Sequence, residues 1–220
     1  MATDGIAFAG SIIVDNAKTV ESWPERGMLS RILRTERSLG GLVPNTAIYL
    51  KTLDPSIPVS AIGCVGTDEP GKFALSTLSS HGIDVSRVRK IDCPTSFTDV
   101  MTLAKTGERT FFNMHGADSF LRPEDVVSPI SGASMVHLGY LLLLDGMDAE
   151  DPEYGTKAAR LLAKVRAAGI KTSLDIVSEQ SDRFARVVRP ALKHCDYVVI
   201  NDDPDAKVTV RVGLLDKDGN

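Results

Sequence analysis

Short apolar runs alternate with segments of helical period through most of this 220-residue chain. GIAFAG (5–10), VSAIGCVG (59–66), MVHLGYLLLL (135–144), KTSLDIV (171–177) and DYVVIN (196–201) read as buried strands. Between them, VPNTAIYLKTL (43–53), GKFALSTLSSHG (71–82), RPEDVVSPI (122–130), YGTKAARLLAKVRAAG (154–169) and DRFARVVRPALKHC (182–195) read as helices. In the fourth of these, Ala158, Leu161, Leu162 and Val165 form one apolar stripe, while Lys157, Arg160 and Lys164 face out. Buried strands alternating with helices predict an α/β fold, with a mostly parallel central sheet covered on both faces. At 43% hydrophobic and 25% charged, the composition supports such a core.

Two stretches depart from the alternation. TSFTDVMTLAKTGERTFFNMHG (95–116) changes to a period of two around a KTGE turn and predicts a β-hairpin. The segment 16–39, with Trp23-Pro24 and several charges, reads as neither a clean helix nor a clean strand. A hairpin inserted in an α/β chain leaves the main sheet and covers something.

A net charge of −4 argues against a nucleic-acid surface, which needs a basic face. Cys64, Cys93 and Cys195 form no C-x-x-C, so reduced and mostly buried thiols are expected. His81, His115, His137 and His194 have no ligand spacing, and no metal site is predicted. MATDGIAFAG lacks the basic flank of a signal peptide, and MVHLGYLLLLDGM is too short to span a bilayer. A cytoplasmic protein with no membrane partner is the expectation.

GTDEPGKF (66–73) has the G-x-x-x-x-G-K spacing of a P-loop but places Phe73 where a hydroxyl must hold Mg²⁺. Asp68 and Glu69 would also put carboxylates inside a phosphate cradle. An acidic turn leading into a helix is the better reading. FAGSIIVD (8–15) has no G-x-G-x-x-G, but Asp15 lies a few residues beyond a buried strand, where open α/β sheets bind ligands. Taken alone, it reads equally well as a solvated loop aspartate. RSLGGLVPNTAIYL (37–50) places Gly40 and Gly41 at the N-terminus of a helix, with Asn45 in its first turn. That pair is a turn, or bare backbone that lets a hydroxyl-rich ligand come close. Asn45 would both donate and accept, and Asp15 would accept from vicinal hydroxyls.

The order of these features resembles the PfkB-type carbohydrate kinases, the ribokinase-like family of sugar and nucleoside kinases. The resemblance rests on Gly10 to Asp15, the Gly-Gly followed by Asn45, and VSAIGCVGTDEPGK. It continues through HGIDVSRV, the T…GERTFF hairpin, SLDIVSE and CDYVVIN. It implies one ribokinase-like α/β domain over 1–220 whose C-terminal part is missing, with 16–39 and 95–116 forming a β-lid. It implies that Asp15, Gly40, Gly41 and Asn45 hold a sugar or nucleoside, that ATP and Mg²⁺ are the cofactors, and that lid strands pair two subunits into a homodimer.

The sequence also departs from that family. The G-A-G-D loop, which supplies the family's catalytic base and anion hole, does not occur in these residues, so no catalytic residue is assigned. Asn201 fits the family's N-x-x-E phosphate and Mg²⁺ region, but Pro204 stands at the Glu position, and a strand-like KVTVRVGLL follows. Leu42 stands where ribokinases carry Lys, and Val43 where a small residue is usual, which argues against ribose itself. The resemblance therefore implies the substrate-binding and lid part of a sugar kinase, inactive in this form. The alternative is a sugar-binding or regulatory protein without phosphoryl transfer.

Overall fold

Ala7 and Ala9 point to one side of the first strand and Phe8 to the other, and all three are buried. A strand apolar on both sides needs a covering layer on each. A computed structural model describes residues 5–127, 132–177 and 181–199 and shows both layers.

The chain begins with β1 (Gly5–Gly10), β2 (Ile13–Val20), β3 (Ile32–Gly40) and α1 (Leu42–Leu53). It continues with β4 (Val59–Gly66), α2 (Glu69–Ser80), β5 (Asp84–Ile91), β6 (Phe97–Leu103) and β7 (Arg109–Met114). A 3₁₀ turn (Ala117–Phe120) and α3 (Pro123–Val127) lead to β8 (Ala133–Leu141) and α4 (Asp145–Asp148). Last come β9 (Glu150–Asp151), β10 (Gly155–Thr156), α5 (Lys157–Ala167), β11 (Lys171–Ile176), α6 (Phe184–Leu192) and β12 (Tyr197–Val199).

Six strands form one parallel sheet in the order β12-β11-β8-β1-β4-β5. Leu42, Val43 and Ala47 of α1 pack with Ala74 and Leu78 of α2 on the Phe8 face. Leu161, Leu162 and Val165 of α5 pack with Val187 and Val188 of α6 on the Ala7 face. Leu161 and Leu162 are fully buried, each contributing about 1.5–3 kcal/mol. The expected mostly parallel α/β fold is present. From β1 the chain moves outward through β4 and β5, then returns to the other side of β1 at β8. The strand order therefore reverses between β1 and β8.

The hairpin over 95–116 is present as β6 and β7, but the segment 16–39 differs from its sequence reading. It holds most of β2 and β3, a second antiparallel pair. Together they make a four-stranded sheet, β3-β2-β6-β7, with β2 and β6 parallel. Every residue from Ile32 to Ser38 is exposed, so no burial alternation marks β3 in the sequence. Asp15, for which a solvated loop position is one of two sequence readings, lies within β2.

Helix ends moved to where caps exist. α2 starts at Glu69 because Asp68 Oδ1 accepts from the Gly71 amide at 3.0 Å, and the acidic turn at 66–73 is confirmed as a helix start. α5 starts at Lys157, capped by Thr156 Oγ1 accepting from Ala159, and Tyr154 lies in the turn before it. Asn201, Pro204 and the strand-like run after them lie outside the described residues.

His137 of β8 is buried, with Nδ1 2.8 Å from Ser173 Oγ of β11. Burial pushes its imidazole down to about 4 from an ordinary 6.5. The unfolded chain then binds the proton that the folded chain refuses, so this residue's contribution falls as pH drops from 6.5 towards 4. The loss reaches about 3 kcal/mol at the acid end. Urea midpoints from pH 7 to pH 4 should show His137→Gln losing less stability than wild type; identical slopes would refute the assignment.

Candidate functional site

The carboxyl ends of β1 and β8 meet at two glycines. Gly10 pairs with Gly139, and a Cβ on Gly10 would lie 1.5 Å from the Gly139 carbonyl oxygen. The next residue, Ser11, donates its amide to that same oxygen at 2.9 Å. Ser11 then receives the start of α1. Its Oγ accepts from the Leu42 amide at 3.0 Å and its carbonyl from the Val43 amide at 3.1 Å. Two of the first-turn donors that a helix leaves open are thus met by the end of β1.

Gly41 precedes that helix with φ 83°, and a Cβ there would lie 2.7 Å from the Ser11 carbonyl oxygen. A Cβ on Gly40 would lie 2.1 Å from Asp15 Oδ2. The double glycine is therefore bare for two reasons inside the chain: Gly41 lies against the Ser11 backbone, and Gly40 carries the Asp15 carboxylate.

Asp15 is half-buried in β2, opposite Ser38 of β3 and Thr98 of β6. Burial raises its carboxyl above the usual range, opposed by a hydrogen bond from Thr98 and by the charge of Arg109. Thr98 Oγ1 also accepts from Asn113 Nδ2 of β7 at 3.0 Å. Asn45, exposed on the first turn of α1, lies beside the Tyr140 phenol. Burial raises that phenol, as do the Asp175 and Asp15 charges. Asp175, at the end of β11, is pushed up to about 6 by burial, partly offset by the Ile176 amide.

Asp15, Gly40, Gly41 and Asn45 are thus brought together near the reversal between β1 and β8, where open α/β sheets take ligands. Ser11, Thr98, Tyr140 and Asp175, none of them singled out from the sequence, join them. Asp175 carried a signal, a carboxylate ending a predicted strand. Tyr140 carried none, because only the β1–β8 pairing brings it beside Asn45. Two carboxyls, an amide, a phenol and a hydroxyl can exchange hydrogen bonds with a polyhydroxylated molecule. No group of three or more His, Cys, Asp or Glu able to hold a metal is present among the described residues. None of the described helices is long and apolar enough to cross a membrane.

The pfkB family carbohydrate kinase model matches residues 3–207. The chain belongs to the pfkB family of carbohydrate kinases. An ATP-dependent ribose-1-phosphate kinase of Halopiger xanaduensis is 26% identical over 198 residues, covering 90% of this chain and 61% of that protein. A fructokinase of Klebsiella pneumoniae is 33% identical over 132 residues, covering 59% of this chain and 40% of that one. Among solved structures, Arabidopsis thaliana ribokinase complexed with ribose and ATP superposes with a TM-score of 0.71 at 21% identity. That superposition covers 91% of this chain and 60% of the ribokinase, a likeness of fold. The pfkB-family chain spans less than two thirds of the length of each of these relatives.

Proposed function

We propose that this chain is the sugar-binding and lid part of an ATP-dependent kinase that phosphorylates a hydroxyl of a sugar or nucleoside. The observation that carries the reading is the Asp15 carboxylate seated on Gly40, close to the Tyr140 phenol and its neighbour Asn45, where the sheet order reverses. Asp15 accepts from vicinal hydroxyls, Asn45 fixes a further hydroxyl, and the Gly40–Gly41 turn holds both groups in place. The four-stranded sheet, with segments 16–39 and 95–116, closes over the sugar and keeps water from the phosphoryl group.

ATP and Mg²⁺ enter through the family relation, and the relatives named for ATP support the former. Mg²⁺ is assigned to no described residue, and Asn201 stays the candidate for the phosphate region. The sequence contains no G-A-G-D, so residues 1–220 are expected to bind sugar without turning it over. Exposed Ile32 and Leu33 on edge strand β3 favour pairing of two lids into a homodimer.

Trp23, the one tryptophan of the sequence, stacks on Phe112 of β7 with ring centroids 6.2 Å apart and reports on the lid. Titration with D-fructose, D-ribose and adenosine should give a saturable change in its emission for at least one of them, matched by calorimetry. No heat and no emission change with any of the three would overturn the reading.

A further inference from the structure

The chain passes between the six-stranded and the four-stranded sheets at the β1–β2, β3–α1 and β5–β6 links and after β7. These passages converge on one buried carboxyl, Asp118, in the 3₁₀ turn Ala117–Phe120. Its Oδ1 accepts from the Ile12 amide at 3.2 Å, in the β1–β2 link. Ser96, in the β5–β6 link, accepts at Oγ from the Gly116 and Asp118 amides at 3.0 and 3.2 Å. The Ser96 carbonyl accepts from Val14 of β2 at 3.0 Å, and the Pro94 carbonyl from Ala117 at 3.0 Å. The β3–α1 link joins through Ser11, the residue before Ile12: the Oγ of Ser11 accepts from the Leu42 amide.

We propose that Asp118 is a positioning residue for the sugar site, holding the root of β2 so that Asp15 stands in register with Asn45 and Tyr140. Asp15 belongs to the small sheet, whereas Asn45 and Tyr140 belong to the core layers. Their separation is set where the two sheets join, and Ile12 is three residues before Asp15 in the chain. Oδ2 of Asp118 is buried with no hydrogen-bond partner. Burial of a polar atom without a partner is costly and persists where the rest of the group holds something that matters. Burial pushes the carboxyl up to about 8, opposed by hydrogen bonding from the Ile12 amide and the Ser96 side chain, so both neighbouring links act on this one group.

The test has two arms, and only the second rests on the sugar-binding reading. In the first, hydrogen exchange of the ligand-free chain is compared for wild type, Asp118→Ala and Asp118→Asn. Asp118→Ala should speed exchange in β2 and β6 about tenfold or more while β4 and β11 keep their rates. Asp118→Asn retains an oxygen for the Ile12 amide and should restore most of the protection. In the second arm, the dissociation constant for whichever of D-fructose or D-ribose binds wild type should rise about tenfold in Asp118→Ala and recover in Asp118→Asn.

Equal acceleration in every strand, or unchanged rates, would overturn the proposal. So would a weakened affinity that the Asn variant fails to recover. If Asp118→Ala does not fold, Ser96→Ala removes the neighbouring acceptor and is judged by the same patterns. If wild type binds neither sugar, the sugar reading fails on its own and the exchange arm decides the role of Asp118.

Discussion

Gly10→Ala is expected to destabilise the protein by about 3 kcal/mol or more. The added Cβ would stand 1.5 Å from the Gly139 oxygen and 2.6 Å from its carbonyl carbon. Both are backbone atoms of the adjacent parallel strand, so no side chain can turn aside, and β1 and β8 must separate. The φ of 149° at Gly10 adds strain for any residue with a Cβ. Gly27→Ala is the control, since Gly27 has φ 81° and nothing within 4 Å of an added Cβ. It should cost only the left-handed penalty of about 1–2 kcal/mol. Urea denaturation with fitted midpoints and slopes measures both, and equal losses at the two positions would show that the β1–β8 contact yields.

Asp15→Ala is expected to weaken sugar binding by about 1–3 kcal/mol, roughly 5- to 150-fold in dissociation constant, if a charge-assisted hydrogen bond is lost. Stability should move the other way. Burial raises the Asp15 carboxyl in the folded chain, so the folded state binds its proton more tightly than the unfolded state. Wild type therefore loses this part of its stability as pH rises through the folded value, and a variant without the carboxyl does not. Loss of affinity with an unchanged or higher melting temperature at neutral pH would mark a binding residue. Unchanged affinity would remove Asp15 from the sugar site.

The α/β alternation was legible because its strands are apolar on both faces and its helices carry one stripe, as at Leu161, Leu162 and Val165. The hairpin 95–116 was legible from its period of two. β3 was not, because a strand exposed from Ile32 to Ser38 has no inside and outside to write into its residues. Its partner β2 was obscured too, since Asp15 to Thr19 are all half-buried and polar or small.

The candidate site divides along the same line. Gly40, Gly41 and Asn45 announce a glycine turn before a helix, and the residues alone place it. Why the glycines are needed was decided by the fold, which lays Asp15 on one and Ser11 on the other. By itself the sequence determined the layers, their order along the chain and the family. Only the tertiary structure decided that β8 returns beside β1, bringing Tyr140 to Asn45 and Asp175 near Tyr140. It also decided that Asp118 meets Ile12, 106 residues away. Such contacts depend on strand register and sheet order, which long-range packing sets, whereas local periodicity records only which face of each element is buried.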